Sequence, residues 1–176
     1  TLNIVLVGMP SSGKTTVGKI LAQRLGRKLV DTDEEISKNG LSIQEIFETY
    51  GQEYFRNVEE YEIGKISKKS SLVIATGGGA VLRQKNRDNL RQNSFVVYIK
   101  RDIDKLCDKG RPLSKGGPER IKQLYCERHE IYENVCDFCV ENNGDVNECV
   151  NKILKVLDGI DYYSLRGIKT EGGEKQ

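Results

Sequence analysis

The residues best placed to do chemistry stand near the start of the chain. Gly8-Met9-Pro10-Ser11-Ser12-Gly13-Lys14-Thr15 fits G-x-x-x-x-G-K-[ST], the pattern of a phosphate-binding loop. Glycines let the backbone curl around phosphate oxygens without Cβ clashes. Successive N–H groups and the positive end of the next helix then face the anion. Lys14 adds a mobile charge toward the β- and γ-phosphates, and the Thr15 hydroxyl suits a Mg²⁺ shell. The flanks agree. Asn3-Ile4-Val5-Leu6-Val7 predicts a buried parallel strand. Val17, Ile20, Leu21 and Leu25 then recur at helical spacing, and Gly26 predicts the C-cap. Such a loop implies a nucleoside triphosphate without naming the acceptor.

A second candidate group is a pair of carboxylates. Lys28-Leu29-Val30-Asp31-Thr32-Asp33 predicts a short strand ending in them. Residues two apart on a strand share a face, so Asp31 and Asp33 are expected to point together at the carboxyl edge of the sheet. That edge is where open α/β sheets bind ligands. Thr32 and Glu35 are spaced as a capping box for the next helix, which would leave both aspartates free. The third strand, Leu72-Val73-Ile74-Ala75, ends in Thr76-Gly77-Gly78-Gly79 rather than in an acid. Asp31 is therefore the available magnesium carboxylate. The base-reading N-K-x-D of GTPases is absent.

The elements around these groups are legible in outline. Ser42-x-x-Glu45 predicts a capped helix with Ile43, Ile46, Phe47 and Tyr50 on one face, ended by Gly51. A longer helix is expected from about Glu53 to Lys68. Within it Arg56 precedes Glu59 and Glu60 at helical spacing, which on local evidence reads as an ordinary surface pair. The three glycines after the third strand allow a ligand to approach the backbone closely. Phe95-Val96-Val97-Tyr98-Ile99 predicts a fourth strand. The stretch Asp108–Pro118, rich in Gly and Pro, reads as a mobile flap centred on Arg111-Pro112-Leu113. In the helix that follows, Arg128 shares a stripe with Ile121, Leu124, Tyr125 and Tyr132. A charge on an apolar face is costly unless paired, so Arg128 either snorkels out or meets a buried anion, and the anion is favoured. His129 points off this stripe and is given no role. Phe138-Cys139-Val140 predicts a fifth strand, and Val146 to Leu157 a final amphipathic helix. Strands alternating with helices make a parallel-sheet α/β domain.

Composition narrows the function classes. With 176 residues, 37% hydrophobic and 31% charged, the chain suits one soluble globular domain. No apolar run approaches the roughly 20 residues of a membrane span. A net charge of +2 gives no argument for nucleic acid. The N-terminus lacks the pattern of a secretory signal. It also lacks Met, which leaves room for an upstream start. Five cysteines without a signal suggest reduced thiols. Cys136 and Cys139 form a C-x-x-C, but zinc would want a second pair, so they read as thiols at the edge of a buried strand. A cytoplasmic monomer is the expectation.

Taken together, the residues resemble the shikimate kinase family over nearly the whole domain. The motifs that carry the likeness are the loop at Gly8–Thr15, Asp31-Thr32-Asp33, Phe55-Arg56-x-x-Glu59, Thr76-Gly77-Gly78-Gly79, Arg111-Pro112-Leu113 and Arg128-x-x-x-Tyr132. Each is weak alone; in this order and at these spacings they are specific. The resemblance implies a P-loop fold like that of nucleoside monophosphate kinases, with strand order 2-3-1-4-5 and a lid at about 108–118. Residues 1–158 would form that single domain, and 159–176 a polar tail outside the likeness. The implied reaction moves the ATP γ-phosphoryl group to the 3-hydroxyl of shikimate, on the route to chorismate and the aromatic amino acids. ATP would be held by Ser11, Ser12, Gly13, Lys14, Thr15 and Thr16, with Arg111 and Asp145. Lys14, Asp33 and Arg111 would be catalytic, Asp33 orienting the attacking hydroxyl. Arg56 and Arg128 would grip the shikimate carboxylate, with Glu59 fixing Arg56, and Gly78 and Gly79 would contact shikimate through backbone. Mg²⁺ would sit on Thr15 and, through water, on Asp31. The segment Lys105–Gly110 is short and lacks the arginine that many members place against adenine. That contact is left to Lys109 or to the loop at Asn142–Asp145.

Two other readings compete. A gluconate-type kinase on the same fold would keep the phosphate loop without requiring Asp33, Arg56 and Arg128. A nucleotide-binding regulator that has lost catalysis would have no need of Lys14, Thr15, Asp31, Asp33 and Arg111 together.

Overall fold

Strand β1 (Asn3–Val7) is buried throughout because it lies in the middle of a sheet covered on both sides. The computed structural model describes residues 1–106 and 116–160. In it β1 is joined by β2 (Lys28–Asp31), β3 (Leu72–Ala75), β4 (Ser94–Lys100) and β5 (Phe138–Glu141). All pairings are parallel and the order is β2-β3-β1-β4-β5, as expected. The helices are α1 (Lys14–Leu25), α2 (Thr32–Ser37), α3 (Ile43–Tyr50), α4 (Gln52–Ile66), α5 (Gln84–Gln92), α6 (Ile103–Leu106), α7 (Gly117–Val135) and α8 (Val146–Asp158).

Alternating side chains of each strand feed two separate cores. Val5, Val7, Ile74, Val96 and Tyr98 pack against Ile63 of α4, Leu90 of α5 and Tyr132 of α7. Ile4, Leu6, Val73 and Val97 meet Val17 and Leu21 of α1 and Val150 and Ile153 of α8. A small third cluster of Ile36, Ile46 and Phe55, with Phe47 stacked on Phe55 at 4.5 Å, holds α2, α3 and α4 together.

Several expectations meet their limits here. The second strand stops at Asp31, and Asp33 lies in the first turn of α2, so the two aspartates do not share a strand face. The predicted capping box of Thr32 and Glu35 does not form. Asp31 is itself the N-cap, with Oδ1 accepting from the N–H groups of Asp33 and Glu34 at 2.9 and 3.3 Å. Thr32 turns inward instead and is fully buried, its hydroxyl accepting the Gly77 N–H at 3.0 Å. The capping box at Ser42 and Glu45 forms as read. Tyr50, expected on the apolar face of α3, is 53% exposed and packs on Tyr54. Gly117 and Pro118 open α7 rather than belonging to the flap; the rest of the flap, up to Ser114-Lys115, lies outside the described residues, as does the tail from 161. Helices α5 and α6 are additions that the apolar pattern did not announce. Cys136 and Cys139 are half-buried free thiols at the α7–β5 junction. Burial pushes Cys136 up to about 12.

The Thr32–Gly77 bond crosses from α2 to the glycine turn after β3, joining two loops of the same sheet edge. Replacing Thr32 by Val keeps the shape but strands the Gly77 N–H. The expected loss is about 1–3 kcal/mol of stability, read as a lower urea midpoint with unchanged slope. An unaltered midpoint would remove this bond from the scaffold.

Candidate active site

The carboxyl ends of β1, β2 and β3 bring the charged groups together. After β1 the loop from Gly8 turns through Ser11, a non-glycine residue at φ 66°, to Gly13 at φ 95°, which caps α1. A side chain at Gly13 would be strained in that conformation and would also meet the Asn142 amide at 2.5 Å. Lys14 is buried, and its Nζ donates to the carbonyls of Gly8 and Met9, both at 2.7 Å. Burial lowers its pKa to about 8 and Arg128 pushes the same way, while Asp33 and Asp31 oppose. Ser12 is fully buried, Ser11 and Thr15 are half-buried and Thr16 is exposed.

Thr15 donates its hydroxyl proton to Asp31 Oδ2 at 2.9 Å. Asp31 thus links the phosphate loop to the start of α2 while serving as its cap. A hydroxyl and a carboxylate at this spot form the hard oxygen donor set that Mg²⁺ prefers. Asp33, in the first turn of the helix, is shifted above the usual carboxylate range. Burial is the main cause, the Asp31 charge adds to it, and Lys14 and Arg56 pull back.

Arg56 and Glu59 are not a surface pair. Their side chains are 12% and 1% exposed, and Arg56 Nη1 donates to Glu59 Oε1 at 2.8 Å. Burial raises the Glu59 carboxyl above its usual range, against the pull of Arg56. Long-range packing decides this case: Phe55 and Ile63 turn that face of α4 into the protein. The Arg56 guanidinium also lies against the glycine turn, so close that a methyl on Gly79 would overlap it. Arg128 lies buried on the apolar stripe of α7, as read from its spacing. The Nε atoms of Arg56 and Arg128 and Oε2 of Glu59 are buried with no partner among the described residues. Buried guanidinium donors left over in this way make a receptor for a carboxylate or phosphate.

Other expected residues fall into place or beyond reach. Gly78 and Gly79 form the turn beside Arg56. Asp145 caps α8, accepting from the Asn147 N–H at 2.8 Å. Arg111 and Lys109 lie outside the described residues.

One residue, named above only as the start of a loop offered to adenine, has a different contact. Asn142, at the end of β5, is buried and donates from Nδ2 to the Ser12 carbonyl at 2.9 Å, pinning the phosphate loop. Its own carbonyl accepts from Arg101 at 2.9 Å. The only sequence signal was its place just after a core strand, which does not foretell a bond spanning the sheet.

A phosphate loop and a buried guanidinium pair at one sheet edge are thus in place. The shikimate kinase family model matches residues 10–158, most of the chain. The chain belongs to the shikimate kinase family. It is 40% identical over 159 residues to a shikimate kinase of Clostridium botulinum (strain Eklund 17B / Type B), covering 88% of this chain and 96% of that one. A shikimate kinase of Thermodesulfovibrio yellowstonii is 40% identical over 162 residues, covering 87% and 93%. Among solved structures, the Acinetobacter baumannii shikimate kinase in complex with shikimate superposes with a TM-score of 0.84 at 35% identity, covering 90% of this chain and 93% of that one. The Aquifex aeolicus enzyme gives 0.80 at 35% identity, covering 94% and 100%. No described helix is long and apolar enough to cross a membrane.

The Asp33 shift has a sign that can be tested without substrate. A carboxyl whose folded pKa is raised costs stability when ionised. The cost is present above the folded pKa, fades as pH falls through it, and is gone below the unfolded value of 3.8. Asp33→Asn is therefore expected to raise the melting temperature at neutral pH, with the advantage vanishing near pH 3.8. A variant less stable than the parent at neutral pH would contradict this.

Proposed function

We propose that this protein is a shikimate kinase, transferring the γ-phosphoryl group of ATP to the 3-hydroxyl of shikimate with Mg²⁺. The observation that carries the reading is the buried pair Arg56 and Arg128, each with an uncommitted Nε, beside a phosphate loop and a half-buried aspartate. A nucleotide alone has no use for that second anion receptor. The Acinetobacter baumannii relative forms a complex with shikimate, a carboxylate, which is the kind of anion such a receptor suits.

The roles follow from position. Ser11 to Thr16 wrap the phosphates with backbone N–H groups, and Lys14 moves from its carbonyls to the β- and γ-phosphates. Asp33 orients the acceptor hydroxyl, and its raised pKa suits a group that also takes up its proton. Arg56, steadied by Glu59, and Arg128 hold the substrate carboxylate, while Gly78 and Gly79 offer N–H groups. Thr15, and Asp31 through water, would hold Mg²⁺, which would supply positive charge against the phosphate oxygens. Arg111 and Asp145 complete the ATP site. Residues 1–158 act as one catalytic domain, and closure of the lid that carries Arg111 excludes water, the competing acceptor. We place the enzyme in the cytoplasm as a monomer that binds neither nucleic acid nor membrane.

The deciding experiment is coupled ADP release with ATP and Mg²⁺, comparing shikimate, gluconate, AMP and no acceptor. A saturable rate with shikimate alone is expected, lost when EDTA removes the metal. Arg128→Ala is expected to raise KM for shikimate by about a hundredfold, the cost of a buried charge-assisted hydrogen bond, with KM for ATP nearly unchanged. An equal rise in both would remove Arg128 from carboxylate binding. No shikimate-dependent rate would overturn the reading itself.

Lys14 supplies a further check. Its pKa of about 8 in the free protein should rise when triphosphate arrives, so ATP binding near pH 8.5 is expected to take up a proton. Calorimetry in buffers of different ionisation enthalpy reads this directly. Proton release, or no exchange, would contradict the assigned contact.

A further inference from the structure

The turn after β3 is held in an unusual way. Its carbonyls are all committed inward. Gly77 accepts from the Ala80 N–H at 3.0 Å and Gly79 from the Leu82 N–H at 3.1 Å. Ala80 accepts from Asn86 Nδ2 at 2.9 Å, and Val81 from Arg87 at 2.6 Å. The remaining carbonyl, that of Gly78, accepts the Tyr132 hydroxyl proton at 2.6 Å. By contrast, the N–H groups of Gly78 and Gly79 donate to nothing among the described residues. The turn therefore has its acceptors tied back and two adjacent donors available.

Tyr132 is well suited to set that geometry. It is 1% exposed and its ring packs against Tyr98 at 5.1 Å between centroids. A phenol has one proton to donate, and here it goes to a backbone carbonyl 54 residues away in sequence. Burial lifts the phenol pKa to about 12, and Arg128, one helical turn earlier, stands close enough to pull against that rise. Packing alone would be served by phenylalanine, so the hydroxyl is the informative part.

We propose that Tyr132 is a positioning residue. Its hydroxyl ties the Gly78 carbonyl to α7 and thereby fixes the spacing between the Gly78–Gly79 N–H groups and the Arg128 guanidinium, the two sides that must close on one acid substrate. The proposal rests on the shikimate kinase reading. Tyr132 touches no reacting atom; it acts through the turn and through Arg128.

The test is Tyr132→Phe in the full chain, with Tyr98→Phe as control, since that ring belongs to the same stack. Steady-state rates are measured against shikimate at saturating ATP and against ATP at saturating shikimate. Expected for Tyr132→Phe is an increase of about tenfold in KM for shikimate, the scale of one lost hydrogen bond. KM for ATP should stay within about twofold, and Tyr98→Phe should change neither. Equal changes in both constants, an unchanged KM for shikimate, the same effect from Tyr98→Phe, or a variant that does not fold would each overturn the proposal by making the hydroxyl irrelevant or merely structural. Failure of the parent reading looks different: the unmodified protein would itself release no ADP in response to shikimate, and the proposal would fall with it.

Discussion

Formal charge held away from water is the constraint around which this molecule is arranged. Lys14, Glu59 and Arg128 are buried, Arg56 is nearly so and Asp33 is half-buried, all at one edge of the sheet. Each is costly alone. Together they offset one another, as the mutual shifts of Lys14, Asp33 and Glu59 record. The offset is incomplete, because donors on both guanidiniums remain unpaired. Guanidinium donors left over in this way favour an anionic ligand over water. The site attracts its substrate by the same imbalance that makes the free protein less stable than it could be.

Such a cluster works only if its parts keep their distances, and side chains bonded to distant backbone provide that. Thr32 joins α2 to Gly77, Asn142 joins β5 to Ser12, and Tyr132 joins α7 to Gly78. Every one of these partners lies in a loop after a strand. The strands supply direction, and these cross-bonds supply precision. The arrangement follows from the parallel sheet, which delivers its loops to one edge but pairs no backbone beyond the strand ends.

Much of the frame was readable from pattern because it depends on repeated features. The apolar runs of β1, β3 and β4 and the apolar stripes of α1, α7 and α8 are periodic, so they declare themselves. Helix α5 leaves no such mark because Gln84–Gln92 carries a single apolar residue, Leu90, and has no stripe. Its work is polar, clamping the turn through Asn86 and Arg87. Strand alternation puts Asp31 on the right edge for an incomplete reason, since capping geometry ends the strand there. Arg56 and Glu59 looked like a surface pair since local spacing carries no information about which way a helix face turns. Arg128 was legible because its neighbours on the stripe fixed the face first. The bonds of Asn142 and Tyr132 join residues far apart in sequence, and no local signal encodes them.

The place of β1 in the sheet has a consequence for how the chain is made. Its partners begin at Leu72 and Ser94, and β2 pairs with β3 alone. During synthesis no two strands can close until β3 has left the ribosome, and β1 keeps an open edge until β4 follows. Throughout that interval the nascent chain carries Ile4-Val5-Leu6-Val7, an apolar segment suited to pairing with strangers. Helices α1 to α4 can form in the meantime, but their apolar faces have no sheet to cover. The first hundred residues therefore emerge as one obligate folding unit, and β5 with α8 can only dock on an edge that already exists.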